Sequence, residues 1–407
     1  MRRKKLEQRR VELGYSQEGL AAELDVDRST YARWERGVQG PYPWNRPRLA
    51  KALGLTPPQL RLLLDEDDEQ PTRLLMPSSR KTASRLAGND VIDALHAKVQ
   101  EIQLDDRKAG GGLLLPELEL YLAQEVAPLL TCTGVPAREL FAATASITGI
   151  TGWMAHDSGR DDQARQYFDR AYRLAQAADD HALAANACAS MAHLAVELHQ
   201  PQDALRIAAE GMRQARSAQG ASRLVARLHS MRARALAQLG DHFGTTQALT
   251  DAEAVLGRAS DEEPARWIAG FDHASLAAEA ALCHLHLATQ GEDGFGQAEL
   301  REAERHAREV IRLRAGDRLR SRVFAQVILA NVLARLGRTE ESAQEAHTAC
   351  RAAVSLSSAR VVHRLQELGG VLSLAPGVPE VLAFRAALAG LAALPAERRG
   401  EIGQWPV

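Results

Sequence analysis

Four side chains near one end of the chain stand where they can read a chemical pattern: Arg28, Ser29, Thr30 and Arg33. They open a helically spaced segment from Arg28 to Arg36 that is followed by Gly37. An arginine fork matches the O6 and N7 acceptors of guanine, a pairing worth about 1–3 kcal/mol of discrimination. Serine and threonine hydroxyls donate or accept, and a threonine methyl complements that of thymine. Arg33 lies one turn beyond Ser29 and Thr30 and shares their face. Arg36 adds positive charge at the end of the same segment. Gln17, at the start of the preceding helical segment, is placed to hold a phosphate together with backbone N–H groups. The implied chemistry is readout of double-stranded DNA. The competing reading is that Arg28 and Arg33 are merely solvated on an exposed helix.

Five short helices are expected to position these groups. Leu6, Arg10 and Leu13 share one face of the first, which Gly14 stops. Ser16 caps a second through Leu24, with Leu20, Ala21 and Leu24 turned inward. Asp27 caps the third. Asn45 and Pro47 open a fourth ending at Gly54, and Thr56 and Pro57 open a fifth carrying Leu60, Leu63 and Leu64. Helix, short turn, helix at this spacing puts the second member in a major groove, presenting its N-terminal residues. Tyr31 and Trp34 belong to the core, and Tyr42 and Trp44 anchor a Pro-rich connector.

The run Gln17, Leu20-Ala21, Leu24, Val26, Ser29-Thr30, Trp34-Glu35-Arg36-Gly37 resembles the Cro/CI-type (XRE) helix-turn-helix family of bacterial and phage repressors. The resemblance implies operator contacts from Gln17, Arg28, Ser29 and Arg33. It also implies a buried ion pair between Arg10 and Glu35, with a phosphate contact as the other role open to Arg10. Asp25 stands where glycine is usual and Tyr31 where Ile or Val is usual.

Charge separates this head from the rest. Residues 1–64 hold thirteen Lys/Arg against seven Asp/Glu, whereas the remaining 343 hold thirty-seven against forty-five. A basic head on an acidic body is expected where one end meets a polyanion. The four cysteines (Cys132, Cys188, Cys283, Cys350) have no metal-ligand spacing and suit packed, reduced thiols in a cytoplasm. No signal-peptide pattern or uncharged apolar span is present, so a membrane role is not expected. Histidines are scattered without a metal motif, and Gly110-Gly-Gly112 lacks the Lys-Ser/Thr ending of a phosphate loop. No catalytic residue, cofactor or metal is expected.

Periodicities of three and four dominate, so the fold class is all-α. Asp65 to Asn89 reads as an acidic, polar linker, and residues 90–144 as a helical adaptor with helices from Asp90 to Arg107 and Pro116 to Leu130. Turn signals then recur at Gly159, His199, Gly240, Gly291 and Gly337. Gly152, Ala192, Ala233 and Ala330 stand seven residues before four of them, and His284 before the remaining one. Small residues at fixed places let antiparallel helices approach and stack. Residues 145–356 resemble degenerate tetratricopeptide (TPR) repeats, an α-solenoid, followed at 357–407 by a cap with helices near 358–373 and 378–394.

In such repeats the first helix of each pair lines the concave face. Six residues before each turn stand Trp153, His193, Arg234, Leu285 and Asn331; thirteen before stand Ser146, Asn186, Arg227, Ala278 and Phe324. Trp153, Asn186, His193, Arg227, Arg234 and Asn331 are the expected ligand contacts, suited to a peptide backbone or carboxylate. The other reading is that they are solvated or pair with Asp/Glu across the groove. Head, linker and repeats together resemble the peptide-sensing helix-turn-helix–TPR regulators of Gram-positive bacteria and actinobacterial relatives. That resemblance implies a homodimer on an operator, with a peptide, small-molecule or protein partner in the groove. A constitutive DNA-binding scaffold is the alternative, and a head used only for protein contact is a third reading.

Overall fold

The computed structural model describes residues 3–24, 26–36, 41, 45–55, 60, 63–64, 88–109, 114–130, 137–259, 270–290, 296–314 and 318–394. They fall into two units, Met1–Leu75 and Met76–Val407. No strand occurs among the described residues.

The first unit holds α1 (Lys4–Glu12), α2 (Gln17–Glu23), α3 (Arg28–Glu35) and α4 (Asn45–Ala52), with helical residues again at 63–64. Gly14 and Gly54 end α1 and α4 at φ of 77° and 59°, a region in which a side chain would clash with its own backbone. Ser16 caps α2, its Oγ accepting from Gly19 N at 2.9 Å. Asp27 departs from expectation. It holds the N-cap position of α3, yet its side chain makes no cap hydrogen bond. The first turn hangs instead on the Asp27 carbonyl, which accepts from Thr30 N and Tyr31 N. Leu6, Leu20, Leu24, Tyr31, Trp34, Leu49 and Leu53 form the sealed core. The expectations for Asp25, Gly37, Tyr42, Trp44, Thr56, Pro57, residues 65–87, Gly110 to Gly112, Cys132 and Gly291 lie outside the described residues.

The second unit begins with α5 (Gly88–Ala109) and α6 (Leu115–Tyr121), which continues through a π turn at Leu122–Val126 into Ala127–Leu129. Helix pairs follow: α7/α8 (Ala137–Asp157, Asp161–Ala177), α9/α10 (His181–Glu197, Pro201–Ala215) and α11/α12 (Ser222–Gln238, His242–Arg258). Then come α13/α14 (His273–Gln290, Gly296–Leu313), α15/α16 (Leu319–Arg335, Thr339–Ala353) and the cap helices α17/α18 (Ala359–Leu372, Pro379–Ala393). Each pair joined by a short turn packs on its neighbours in series, as in a solenoid.

The turns lie where the sequence signals them. Gly159, His199, Gly240 and Gly337 all have positive φ (75°, 55°, 74° and 78°). At Gly152, a Cβ would lie 2.6 Å from the Phe168 ring, so only glycine lets α7 meet α8 there. Ala192, Ala233 and Ala330 are fully buried at the matching positions. The exceptional His284 replaces close approach with a polar clamp: its Nδ1 lies 2.5 Å from Glu299 on α14, which also receives His242 Nδ1 at 3.2 Å.

Residues 90–144 do not form a body of their own. Val91, Leu95, Val99, Leu115, Leu118 and Val126 share one apolar core with Leu140, Ile147 and Phe168. The boundary expected at 144 therefore falls inside α7. Cys188, Cys283 and Cys350 are buried, free thiols, and burial pushes Cys188 and Cys350 up to about 12.

The two ends of the second unit also meet. Asp157, at the end of α7, accepts from Arg320 of α15 (3.0 Å) and from Ser358 before α17 (2.7 Å). Glu197, at the end of α9, accepts from Arg360 (3.1 Å) and Arg364 (3.0 Å) of α17. The inner helices are thus tied across the axis of the solenoid.

Candidate nucleic-acid interface

Helix α3 is divided lengthwise by its own sequence. Tyr31, Trp34 and Glu35 are buried, while Arg28, Ser29, Arg33 and Arg36 are exposed and Thr30 is half-buried. Tyr31 and Trp34 meet edge to face with ring centroids 6.0 Å apart, which sets the rotation of the helix about its axis. Ser29 and Arg33 form no side-chain hydrogen bond or ion pair among the described residues. Arg28 Nε lies 3.1 Å from Glu18, both ends exposed, a pairing that a phosphate or a guanine edge can displace at little cost. Arg36 Nε folds back onto the Ala32 carbonyl at 3.1 Å.

Arg10 is not part of this surface. Only 7% exposed, it lies with Nε 2.6 Å from Glu35 Oε1, while another guanidinium nitrogen donates to the Tyr15 carbonyl at 2.7 Å. The Glu35 hydrogen bond raises its pKa further. A phosphate contact by Arg10 is therefore corrected: the side chain is spent joining α1 to α3. Gln17, expected at a phosphate, donates Nε2 to Glu35 Oε2 at 2.6 Å and so completes the same buried cluster.

Two arginines counted only as charge in the sequence turn out to be connectors. Arg3 donates to the carbonyls of Leu64 (2.7 Å) and Trp34 (2.9 Å), and Arg9 to that of Leu53 (3.0 Å). At Trp34 and Leu53 they satisfy carbonyls that a helix end leaves open, and a search for basic residues opposite helix C-termini would have found them.

In the second unit, the two columns expected to line the concave face are brought together over three helices. Arg227 donates to Asn186 Oδ1 (2.8 Å) and Ser190 Oγ (3.2 Å), and its guanidinium carbon lies 5.4 Å from the Trp153 ring centroid. Trp153 Nε1 donates to Ser190 at 3.0 Å, and its ring meets His193 at 4.9 Å. Burial pushes Arg227 down to about 10 and holds His193 well below the usual histidine range.

Arg234 follows the other reading. Only 1% exposed, it is 2.6 Å from Glu197 and 3.3 Å from Glu279, which removes it from the list of free ligand contacts. Burial alone would raise Glu197, yet Arg234, Arg360, His193 and Arg364 together hold it well below the carboxylate range. Asn331 stands outside the cluster and accepts from Arg335 at 3.0 Å. Glu197, Glu279 and Arg360 escaped the sequence reading because they fall outside the two columns; a search for acids one turn from a column residue would have flagged Glu197, four positions after His193, but neither of the others.

Among the described residues no helix is long and apolar enough to cross a membrane, and no group of three His, Cys, Asp or Glu is placed to hold a metal. A helix-turn-helix family model matches residues 6–60, the span from the core residue Leu6 to the core residue Leu60. No curated protein matches the chain. The match supports a DNA-binding regulator and is confined to the head.

Proposed function

We propose that this chain is a sequence-specific transcription regulator that binds operator DNA as a homodimer and answers a signal bound in its repeat-like body. Helix α3 enters the major groove with Arg28, Ser29, Thr30 and Arg33 at base edges and Arg36 beside the backbone. Two heads then read half-sites about 34–36 Å apart. A peptide or small molecule held by Trp153, Asn186, His193 and Arg227 shifts the body between arrangements and so changes the spacing of the heads.

The observation that carries the DNA reading is the split of α3: Tyr31, Trp34 and Glu35 are locked inward, while Arg28, Ser29 and Arg33 stand open. It lies within the matched helix-turn-helix span. The test is to select bound fragments from the native genome with purified protein, then measure log K against log[salt] on the selected site. Phosphate contacts require a clear negative slope. A flat plot removes the DNA reading and leaves a head used for protein contact.

A second reading keeps the DNA contact but makes the body a scaffold. It is favoured by the ion pairs from Arg234, Arg360 and Arg364 that fill the inner face around Glu197. Operator occupancy in cells that stays constant across growth conditions would support it.

A further inference from the structure

The inner face of the second unit holds more positive charge than it neutralises. Arg227, Arg234, Arg320, Arg360 and Arg364 stand with Asp157, Glu197, Glu279 and, at the edge beside Arg364, Glu367, five guanidiniums for four carboxylates. This happens inside a segment that is net acidic, with forty-five Asp/Glu to thirty-seven Lys/Arg outside the first 64 residues. Four of the five arginines have a carboxylate: Arg234 has Glu197 and Glu279, Arg320 has Asp157, and Arg360 and Arg364 share Glu197.

Arg227 forms no ion pair among the described residues, and Glu279 acts on it only from longer range. Its side-chain hydrogen bonds go to a neutral amide and a neutral hydroxyl, which leaves three of its five N–H donors unused. A half-buried guanidinium without a paired anion costs folding stability, and such costs persist where function needs them. Beside it, His193 Nε2 and His156 Nε2 are buried with no hydrogen-bond partner. Their rings lie 4.9 and 6.0 Å from the same indole, Trp153.

We propose that Arg227 is the anion contact of a small-molecule site, and that its ligand is a compact organic carboxylate with an apolar group. The carboxylate takes the free donors of Arg227, a planar fork that suits it. The apolar part lies against Trp153 and His193. Inorganic or organic phosphate fits less well, since a dianion needs a second cation and every other arginine here already has a carboxylate. An extended peptide fits less well because the contacts from Asp157 and Glu197 to α15 and α17 cross the face it would follow. The inference rests on reading the body as the signal-binding unit.

The test uses the full chain without DNA and phenylacetate as probe, with phenylacetamide and inorganic phosphate as controls. Phenylacetate at millimolar concentration is expected to raise the melting temperature of the body; the uncharged amide and phosphate are not. Arg227→Leu is expected to weaken phenylacetate at least about tenfold, with Arg227→Lys intermediate because it keeps the charge and loses the fork. Without ligand, Arg227→Leu melts at or above the wild-type temperature. Any of four results overturns the site: no shift with phenylacetate, an equal shift in Arg227→Leu, a larger shift with phosphate, or a marked loss of stability in unliganded Arg227→Leu. Operator affinity is measured separately with and without phenylacetate. Binding through Arg227 that leaves operator affinity unchanged keeps the site and removes the control reading.

Discussion

Glu35 holds Arg10 on one carboxylate oxygen and Gln17 on the other, both at 2.6 Å, so one buried acid joins the first three helices of the head. Taking away one member of a buried pair strands the other charge, at a cost of about 3–5 kcal/mol. Glu35→Gln is therefore expected to destabilise the head by that order. Replacing both partners with apolar residues (Arg10→Met with Glu35→Leu) costs much less than the single change. Denaturant unfolding of the full chain, followed by the fluorescence of buried Trp34, checks the difference. Equal losses for the single and double variants would show that the pair's charge is not what holds α1 to α3.

Arg28 and Arg33 are exposed at the start and middle of α3, yet their roles differ by neighbour. Arg28 leans on Glu18, whereas Arg33 has no partner among the described residues. Arg33→Ala is expected to cost about 1–3 kcal/mol of operator binding and to relax preference at one base pair. A uniform loss across all sequences, with a salt slope shallower by about one, would instead make Arg33 a phosphate contact. Anisotropy titrations on the selected operator and its single-base variants separate the two.

Much of this arrangement is legible in the sequence where one residue type answers a local steric demand. Gly14, Gly54, Gly159, Gly240 and Gly337 mark turns because left-handed backbone disfavours side chains, and His199 was found from the Pro201 that follows it. Ser16 was legible as a cap for the same local reason. What the sequence hid was long-range pairing. Nothing local says that Arg360 reaches Glu197 across 163 positions, or that Arg3 reaches the Leu64 carbonyl 61 positions away. The core shared by Val91, Leu95 and Leu118 with Leu140, Ile147 and Phe168 was hidden for the same reason.

His286 and His306 place a pH limit on the body. Burial lowers both to about 4, with Arg234 pressing on the first and Arg305 on the second. An unfolded histidine titrates near 6.5, so between roughly pH 6.5 and 4 the unfolded chain binds more protons. Stability of the body is therefore flat above that window and falls as pH drops through it. Asp272 extends the fall. Burial would raise it, but hydrogen bonds from Arg314 and Ser275 bring it to about 2, so its contribution fades below the ordinary carboxylate range. Urea midpoints of the body measured from pH 7 to 4 test the sign, and His286→Gln should flatten the curve. A midpoint that rises on acidification contradicts it.

Gly152 stands where α7 and α8 approach too closely for a side chain. Cβ of an alanine would meet the Phe168 ring at 2.6 Å, and Tyr167 Cβ at 3.2 Å. Both rings are held, Phe168 in the core and Tyr167 by a hydrogen bond to Glu119. Gly152→Ala is expected to destabilise the body by about 1–3 kcal/mol through overpacking, despite alanine's better helix propensity. A calorimetric melt of the full chain tests it, and a more stable variant would mean that the helices part freely.

Glu197 is where the ends of the body are joined, since one carboxylate receives Arg234 from α11 and both Arg360 and Arg364 from α17. A carboxylate shared by three guanidiniums is held ionised, so its loss leaves Arg360 without an ion pair and Arg234 and Arg364 with only Glu279 and Glu367. The predicted consequence of Glu197→Gln is local before it is global. Helix α17 keeps its apolar attachment through Val361, Leu365 and Leu368, which anchor it to α15, α16 and α18. With the Glu197 ion pairs gone and only that attachment left, its amide hydrogens should exchange faster while those of α11, buried among Ala233, Ala235 and Ala237, change little. Small-angle scattering should report a larger radius of gyration as the inner helices separate from the cap. Unchanged exchange in α17 together with an unchanged radius would mean that apolar packing alone closes the solenoid, and that the arginines of α17 merely decorate it.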